Sequence, residues 1–277
     1  MHKDAYNKEY VQWNENGNNS KVEDLKMKKI SKKLIVLALA LIMVFSFAAC
    51  GGGDAYIVAM EPTFPPFDTT DENGELDGFD VDLMNAIAED QGFEIEWTQL
   101  GFDGLIPALE SKQIDIIASG MWASPERAKI VDFSTTYYDS GLVLAVKVDN
   151  NTITGADSLT SDMKVAAQIG TSSADLVQQW EKDGKIAEAK IYDKVNEAVM
   201  DLQNGSVDAL LNDKPVTTEY MSKQPGKIKI VGDILNEESY GFAVNKENKE
   251  LLDKINAGLQ NVIDNGTYDQ LLAKWGL

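Results

Sequence analysis

Apolar residues follow two alternating patterns along the chain after residue 54. Short apolar or alternating runs, which are typical of β-strands, lie at 56–60, 93–97, 114–118, 141–148, 164–168, 190–192, 207–211, 227–231 and 240–244. Apolar residues spaced for one face of a helix lie between and after these runs, at 80–91, 102–109, 249–265 and 268–275. This order predicts an α/β protein whose sheets consist mostly of parallel strands.

Two segments of the chain, 106–120 and 199–213, resemble each other. Each passes from an amphipathic helix through a polar turn to a strand that begins with an apolar residue and an aspartate. Either all helix–strand units look alike to this degree, or the chain has two similar lobes. With two lobes, the equivalent strand ends at 119–120 and 212–213 would face each other. Ligands of open α/β sheets bind at such strand ends, so a cleft between the lobes is predicted.

Arg127 is the only arginine of the chain, against 24 lysines. It follows a predicted strand end and a short predicted helix start, with Ser124 as the cap and Pro125 in the first turn. A planar guanidinium binds a carboxylate through two parallel hydrogen bonds, and free N–H groups at a helix start assist. The alternative is a surface salt bridge to Asp132. If Asp213 lies on the opposite lobe, Arg127 and Asp213 together would suit the two oppositely charged ends of an amino acid.

Composition removes several classes of function. From residue 50 onward the chain has 17 basic and 40 acidic residues, a formal charge of −23, which disfavours a nucleic-acid partner. The single histidine, His2, precedes the region that we expect to fold, so histidine triads and histidine metal sites are excluded there. No P-loop or glycine-rich dinucleotide motif occurs. We therefore expect a binding protein without metal or cofactor.

Residues 27–49 have the pattern of a secretory signal peptide. Four lysines within 28–33 precede an apolar run over 34–49, which is too short and wrongly flanked for a membrane span. Residues 1–26 are then either a segment before the true start or a cytoplasmic tail.

Cys50 is the only cysteine of the chain and follows the apolar run directly. The sequence Phe47-Ala-Ala-Cys50 resembles a bacterial lipobox, with Phe47 in place of the usual leucine. We expect lipid on Cys50, a tether over 50–53, and a protein anchored at the outer face of the cell membrane.

Six short motifs occur after the signal, and they are specific in combination. They are Phe64-Pro-Pro-Phe67, Gly78-Phe-Asp-Val-Asp82-Leu, Gly104-Leu-Ile-Pro-Ala-Leu109, Ser124-Pro-Glu-Arg127, Val131-Asp-Phe-Ser134 with Tyr137-Tyr138, and Asn265-Gly-Thr-Tyr268 with Lys274-Trp275-Gly. In this order they resemble the type II amino-acid-binding proteins of bacterial ABC importers, the solute-binding family that includes glutamine-binding and lysine/arginine/ornithine-binding proteins. The resemblance covers about residues 56–277.

The resemblance implies a two-lobed periplasmic-binding-protein fold of type II, with two hinge crossovers. The crossovers are expected near 138–142 and 238–242. Lobe 1 would then comprise 54–139 and 242–277, and lobe 2 would comprise 140–241.

The resemblance also implies roles for individual residues. Arg127 would hold the α-carboxylate of an amino acid and Asp213 its α-ammonium group. Gly120 and the backbone near Trp122 would assist Arg127, and Thr171 and Ser172 would donate to the same carboxylate from lobe 2. Phe64 and Phe102 would form the aromatic walls of the slot. Glu61 would contact the side chain of the ligand, and Gln168 could bond an amide or guanidinium there. The alternatives are that Asp213, Thr171 and Ser172 are helix caps, and that the two phenylalanines are core residues.

Trp122 departs from the family pattern, which has threonine or serine at this position. The indole cannot replace the hydroxyl that would bind the carboxylate, so it adds a stacking face or leaves only its backbone N–H to the ligand.

The charges favour a polar or basic amino acid as the ligand. Glu61 and Asp213 oppose a single arginine, which disfavours aspartate and glutamate. The implied protein is a monomer that closes around a free amino acid and delivers it to a permease with its ATPase. The alternatives are an enzyme similar to cyclohexadienyl dehydratases, with Glu61 as the acid, and a lipoprotein sensor without a transport role.

Overall fold

Twelve strands and seven helices make up residues 55–277, the part of the chain that the computed structural model describes. The strands are β1 (Tyr56–Met60), β2 (Thr69–Thr70), β3 (Leu76–Asp77), β4 (Ile95–Gln99), β5 (Ile116–Ile117), β6 (Asp132–Phe133), β7 (Tyr138–Lys147), β8 (Lys164–Gln168), β9 (Glu188–Tyr192), β10 (Ala209–Asp213), β11 (Ile228–Tyr240) and β12 (Ala243–Val244). The helices are α1 (Phe79–Gln91), α2 (Phe102–Glu110), α3 (Ser172–Lys182), α4 (Val195–Asn204), α5 (Lys214–Lys223), α6 (Lys249–Asp264) and α7 (Thr267–Trp275). The signal peptide, the lipid site and the segment before them were predicted for residues that lie outside this range.

The strands form two separate five-stranded sheets, one in each lobe of a two-lobed α/β fold. The first sheet has the order β4-β1-β5-β12-β6, and the second has the order β11-β7-β10-β8-β9. The chain passes from β6 in the first sheet to β7 in the second, and returns from β11 to β12. Two connections therefore join the lobes. They lie side by side, because β7 and β11 pair from Tyr138↔Tyr240 onward.

The prediction of mostly parallel strands was wrong. Each sheet contains two parallel and two antiparallel pairs. The antiparallel pairs involve the strands next to the two connections, namely β7 and β11 in the second sheet and β12 in the first. The helix–strand alternation indicates the parallel units but gives no signal for strands that enter a sheet from the other lobe.

Strand β11 also differs from the prediction of two separate strands at 227–231 and 240–244. It runs continuously from Ile228 to Tyr240, with an irregularity in its pairing to β7 between Val231 and Asn236. The residues between the two runs, which include Gly232, were not assigned to a strand. In the structure they remain within the strand, so the last residues of β11 reach the region between the lobes.

An aromatic cluster packs beneath the two connections. Phe67 and Tyr240 are fully buried with ring centroids 5.1 Å apart, and Tyr137 stacks on Phe242 at 4.5 Å. Such pairs contribute about 0.5–1.5 kcal/mol each beyond the burial of their area. The cluster therefore stabilises the segment where both connections leave lobe 1. None of the helices within residues 55–277 is both long enough and apolar enough to span a membrane.

Candidate functional site

A narrow cavity of about 20 Å³ lies between the two lobes. The residues that line it come from loops and strand ends of both sheets: Phe64, Phe102, Gly120, Trp122, Arg127, Gln168, Thr171, Ser172, Asp213 and Glu238. All of the site residues predicted from the sequence are in this set except Glu61, whose side chain bonds to Gln168 of the lining. Glu238 was not predicted.

Arg127 extends its guanidinium across the cleft. Its Nη1 donates to the carbonyl oxygen of Trp122 and its Nη2 to that of Gly170, both at 2.9 Å, and Phe102 lies under the guanidinium with 5.4 Å between Cζ and the ring centroid. A guanidinium has five N–H donors, so three remain for a ligand. Burial lowers the pKa of Arg127, while the negative charges of nearby acidic residues raise it.

The local backbone at Arg127 is tighter than predicted. The expected helix is a single 3₁₀ turn, Arg127–Lys129, and Ser124 Oγ accepts from the Arg127 N–H at 3.2 Å. The alternative partner Asp132 instead pairs with Lys249. The guanidinium is therefore directed into the cavity and not toward a surface ion pair.

Asp213 ends strand β10, and its side chain does not cap the helix that follows. Its Oδ1 accepts from Tyr240 Oη at 2.5 Å and from Ser140 Oγ at 3.2 Å. Burial, and after it the negative charge of Glu238, raises the pKa of Asp213 to about 7. A carboxylate in this setting gains from a cationic partner, because the cation offsets both effects.

The start of helix α3 faces the Arg127 side of the cavity. Thr171 Oγ1 accepts from the Ala174 N–H at 3.1 Å and donates to the Gln168 carbonyl at 2.6 Å, so it is the cap of the helix. Ser172 Oγ donates to Glu238 Oε1 at 2.6 Å. Both hydroxyl protons thus have partners within the protein. What this helix start offers a carboxylate is its first backbone N–H groups.

Glu61 lies beside the cavity, next to Gln168 of the lining, and is 2% exposed. Its Oε2 accepts from Thr63 Oγ1 at 2.8 Å and, across the cleft, from Gln168 Nε2 at 3.2 Å. Its Oε1 is buried without a hydrogen-bond partner among the described residues. Burial raises the pKa of this carboxyl. Glu61 is therefore held by one oxygen and has the other free for a donor.

Phe64 is both a core residue and a wall of the cavity. It is 7% exposed and packs on Tyr240 with ring centroids 6.1 Å apart. Gly120 lies directly against it, with a φ of +47°, and a Cβ at this position would approach Phe64 Cε1 to 2.6 Å. Only glycine permits this approach without displacing the ring.

Trp122 is half-buried, and its backbone pairs with Tyr240 in an isolated antiparallel bridge. Trp122 lines both the cavity and a neighbouring groove that also contains Leu142, Leu176 and Leu235. A tryptophan therefore borders the cavity at the position where the family pattern would have a hydroxyl.

Sequence comparison assigns the chain to a family. The family model described as bacterial extracellular solute-binding proteins, family 3, matches residues 56–277. The arginine-binding periplasmic protein of Mannheimia haemolytica is 34% identical over 225 residues, which cover 79% of this chain and 90% of that protein.

Solved structures agree with this assignment. An ancestral arginine-binding protein bound to arginine is 42% identical, with a TM-score of 0.76 and coverage of 80% of this chain and 97% of that one. The arginine-, lysine-, histidine-binding protein ArtJ from Geobacillus stearothermophilus is 31% identical, with a TM-score of 0.73 and coverage of 80% and 95%.

The chain belongs to the bacterial extracellular solute-binding proteins of family 3. The resemblance noted in the sequence and the prediction of a two-lobed α/β fold are confirmed. A substrate-binding role is favoured over the enzyme and sensor alternatives, because the matching proteins are binding components of transporters.

Proposed function

We propose that this protein captures a basic amino acid, with arginine as the first candidate, for an ABC importer. The main support is the charge of the cavity lining, which contains one cationic residue, Arg127, and two acidic residues, Asp213 and Glu238. A third acidic residue, Glu61, is hydrogen-bonded to the lining. A ligand with two cationic groups and one carboxylate matches this set, and aspartate or glutamate does not. The names of its relatives, which include several arginine-binding proteins, support the same ligand.

Each charged group of arginine has a candidate partner. The remaining N–H groups of Arg127 and the start of helix α3 suit the α-carboxylate. Asp213 suits the α-ammonium group. The free Oε1 of Glu61 suits a guanidinium at the end of the side chain, because a buried carboxylate oxygen without a donor is costly until a cation reaches it. Phe64 and Phe102 would flank the aliphatic part of the ligand.

Binding couples to closure of the two lobes. We take lobe 1 as 54–139 with 242–277 and lobe 2 as 140–241. Hydrogen bonds from Arg127 to the Gly170 carbonyl and from Gln168 to Glu61 then cross the cleft. A ligand that bridges the same groups stabilises the closed arrangement. Moving the population from mostly open to mostly closed requires a differential affinity of about 10⁴, or about 5.5 kcal/mol.

The remaining assignments follow the sequence. The protein acts outside the cytoplasm as a monomer, attached to the outer face of the membrane by lipid on Cys50. It hands a free amino acid to a permease driven by an ATPase. It uses no cofactor and catalyses no reaction. The region before residue 55 carries the signal peptide and anchor in this proposal.

The test is the substitution Arg127→Lys, which keeps the charge and removes the fork. We expect arginine affinity to fall by about 100-fold while the fold is retained, because a charge-assisted bidentate pair contributes about 1.5–3 kcal/mol per hydrogen bond. Lys129→Arg, an exchange in the same 3₁₀ turn, is the matched control and should leave affinity unchanged. Undiminished affinity in Arg127→Lys would refute the carboxylate assignment.

A further inference from the structure

Glu238 lies beside Asp213 because of the geometry of three neighbouring strands. In a strand, residues i and i+2 project from the same face, so Glu238 and Tyr240 share a face of β11. Tyr240 Oη reaches Asp213, and Ser140, which pairs with Glu238 across β7 and β11, donates to the same carboxylate. Glu238 is thereby placed at the same corner of the cavity as Asp213.

Each of these two carboxylates is held by one oxygen only. Glu238 Oε1 accepts from Ser172 Oγ at 2.6 Å and from Asn236 Nδ2 at 3.0 Å. Asp213 Oδ1 accepts from Tyr240 and Ser140. Within residues 55–277, neither Glu238 Oε2 nor Asp213 Oδ2 has a hydrogen-bond donor, and both residues line the cavity.

Arg127 lends positive charge to both carboxylates, but within residues 55–277 no cationic side chain is hydrogen-bonded to either of them. Glu238 is 4% exposed and Asp213 is 6% exposed, so water screens their repulsion poorly. Two of the guanidinium N–H groups of Arg127 are committed to backbone carbonyls, and no lysine is among the described residues that line the cavity. A group that bonds both free oxygens and also offsets their negative charge has a positive charge and more than one N–H donor. A primary ammonium has three.

We propose that Glu238 is a second carboxylate of the ammonium receptor, so that the α-ammonium group of the ligand donates to Glu238 as well as to Asp213. The inference rests on the proposed function and deepens it. A receptor with two anionic acceptors selects a free amino group. It rejects N-acylated amino acids and 2-hydroxy acids, which cannot offer charge and two donors together.

A purely structural role is the competing explanation. Glu238 would then act only by orienting Ser172 at the start of helix α3. The two roles differ in which ligands bind more weakly when the Glu238 carboxylate is removed. A contact to the ammonium concerns only ligands that have one, whereas a disordered helix start weakens every ligand.

The experiment is a thermodynamic cycle on the purified full-length protein. The substitution Glu238→Gln keeps an acceptor for Ser172 and Asn236 and removes the charge. Affinities are measured by calorimetry, in competition mode where binding is weak, for L-arginine and for 5-guanidinopentanoic acid, which lacks the α-amino group. Glu237→Gln, an exchange of the exposed neighbour on the opposite face of β11, is the control.

We expect Glu238→Gln to weaken arginine about tenfold or more and the deamino analogue less than twofold, since a hydrogen bond to a charged group is at stake only in the first case. Equal weakening of both ligands, matched by Ser172→Ala, would overturn the proposal in favour of the structural role. No weakening of either ligand would overturn it as well. If Glu238→Gln does not fold, Glu238→Asp, which withdraws the carboxylate by one methylene, carries the same comparison.

Failure of the proposed function gives a different result. The unsubstituted protein would then not bind arginine. If another amino acid binds instead, the same cycle with that amino acid and its deamino counterpart decides the role of Glu238. If the unsubstituted protein binds no amino acid at all, an ammonium receptor is excluded together with the function.

Discussion

Asp80 offers the sharpest test of how the site is supported, because it is a fully buried carboxylate directly behind the cavity. Its Oδ2 accepts from the Gly120 N–H at 2.7 Å and from Tyr137 Oη at 2.8 Å. A second fully buried carboxylate, Asp68, lies nearby, and its pKa is raised well above the ordinary value by burial and by the negative charges of Asp80 and Glu61. Lobe 1 thus carries two desolvated acids beneath the strand end that forms one wall of the site.

The magnitude follows from the pKa of Asp80. Burial raises it from 3.8 to about 7, although the hydrogen bonds from Gly120 and Tyr137 oppose the rise. A difference of about 3 between the folded and unfolded pKa values corresponds to at most about 4 kcal/mol. The folded state binds the Asp80 proton more tightly than the unfolded state does. The contribution of protonated Asp80 to wild-type stability is therefore fully present below about pH 4 and is lost as pH rises through about 7.

The substitution Asp80→Asn should abolish this loss of folding stability at higher pH. The amide carbonyl still accepts from Gly120 and Tyr137, but it cannot ionise. We therefore expect the variant to be more stable than wild type by about 2–4 kcal/mol at pH 8, with the difference shrinking to near zero by about pH 4.

The assay is urea denaturation of wild type and variant at several pH values between 4 and 8. Glu89→Gln, an exchange of an exposed carboxylate on the same helix α1, is the control and should show no such trend. A stability difference that is independent of pH, or one that grows as pH falls, would refute the assignment of a raised pKa to Asp80.

Three further outcomes are expected. Gly120→Ala should cost about 1–3 kcal/mol of stability in thermal denaturation and weaken ligand binding in titration, because its Cβ displaces Phe64; wild-type affinity would contradict the wall assignment. Tyr220→Phe removes a hydroxyl that donates across the cleft to the Thr63 carbonyl at 3.1 Å, so stopped-flow measurements should show ligand release about threefold to tenfold faster with little change in association. Cys50→Ala should move the protein from the membrane fraction to the soluble fraction of its host, and retention in the membrane would contradict lipid anchoring.

Sequence patterns indicated Arg127 and Asp213, and the family resemblance supplied most of the other cavity residues. The single arginine and the strand that ends near Asp213 each have a local signal, whereas the role of Thr171 came from the resemblance. Strand β8 was predicted with the bounds that the structure has, and β1 likewise, because short apolar runs between polar turns are well defined. Their meeting in one cavity follows from the rule that parallel strand ends share an edge of the sheet.

Glu238 could not be found in this way. It lies in the predicted second crossover at 238–242, just before the predicted strand at 240–244, and was given no role in binding. The signal that existed is its spacing of two from Tyr240, which places both on one face, but that inference required knowing that β11 continues through Asn236. Pairing with the sequence-distant strand β7 keeps β11 continuous, and the local sequence pattern does not indicate this pairing.

The hydroxyls at the start of α3 show a second limit. Thr171 and Ser172 were predicted to donate to a ligand carboxylate, but their protons go to Gln168 and Glu238. Which of several acceptors a hydroxyl uses depends on distances of a few tenths of an ångström, and these are set by packing rather than by sequence order.

The most direct test of the account is calorimetric titration of the purified protein with each common amino acid, after unfolding and refolding to remove any carried ligand. We expect micromolar or tighter binding of arginine, weaker or no binding of neutral amino acids, and none of aspartate or glutamate. Binding of an acidic amino acid in preference to a basic one would contradict it. So would the absence of binding to all of them by protein whose circular dichroism shows that it is folded.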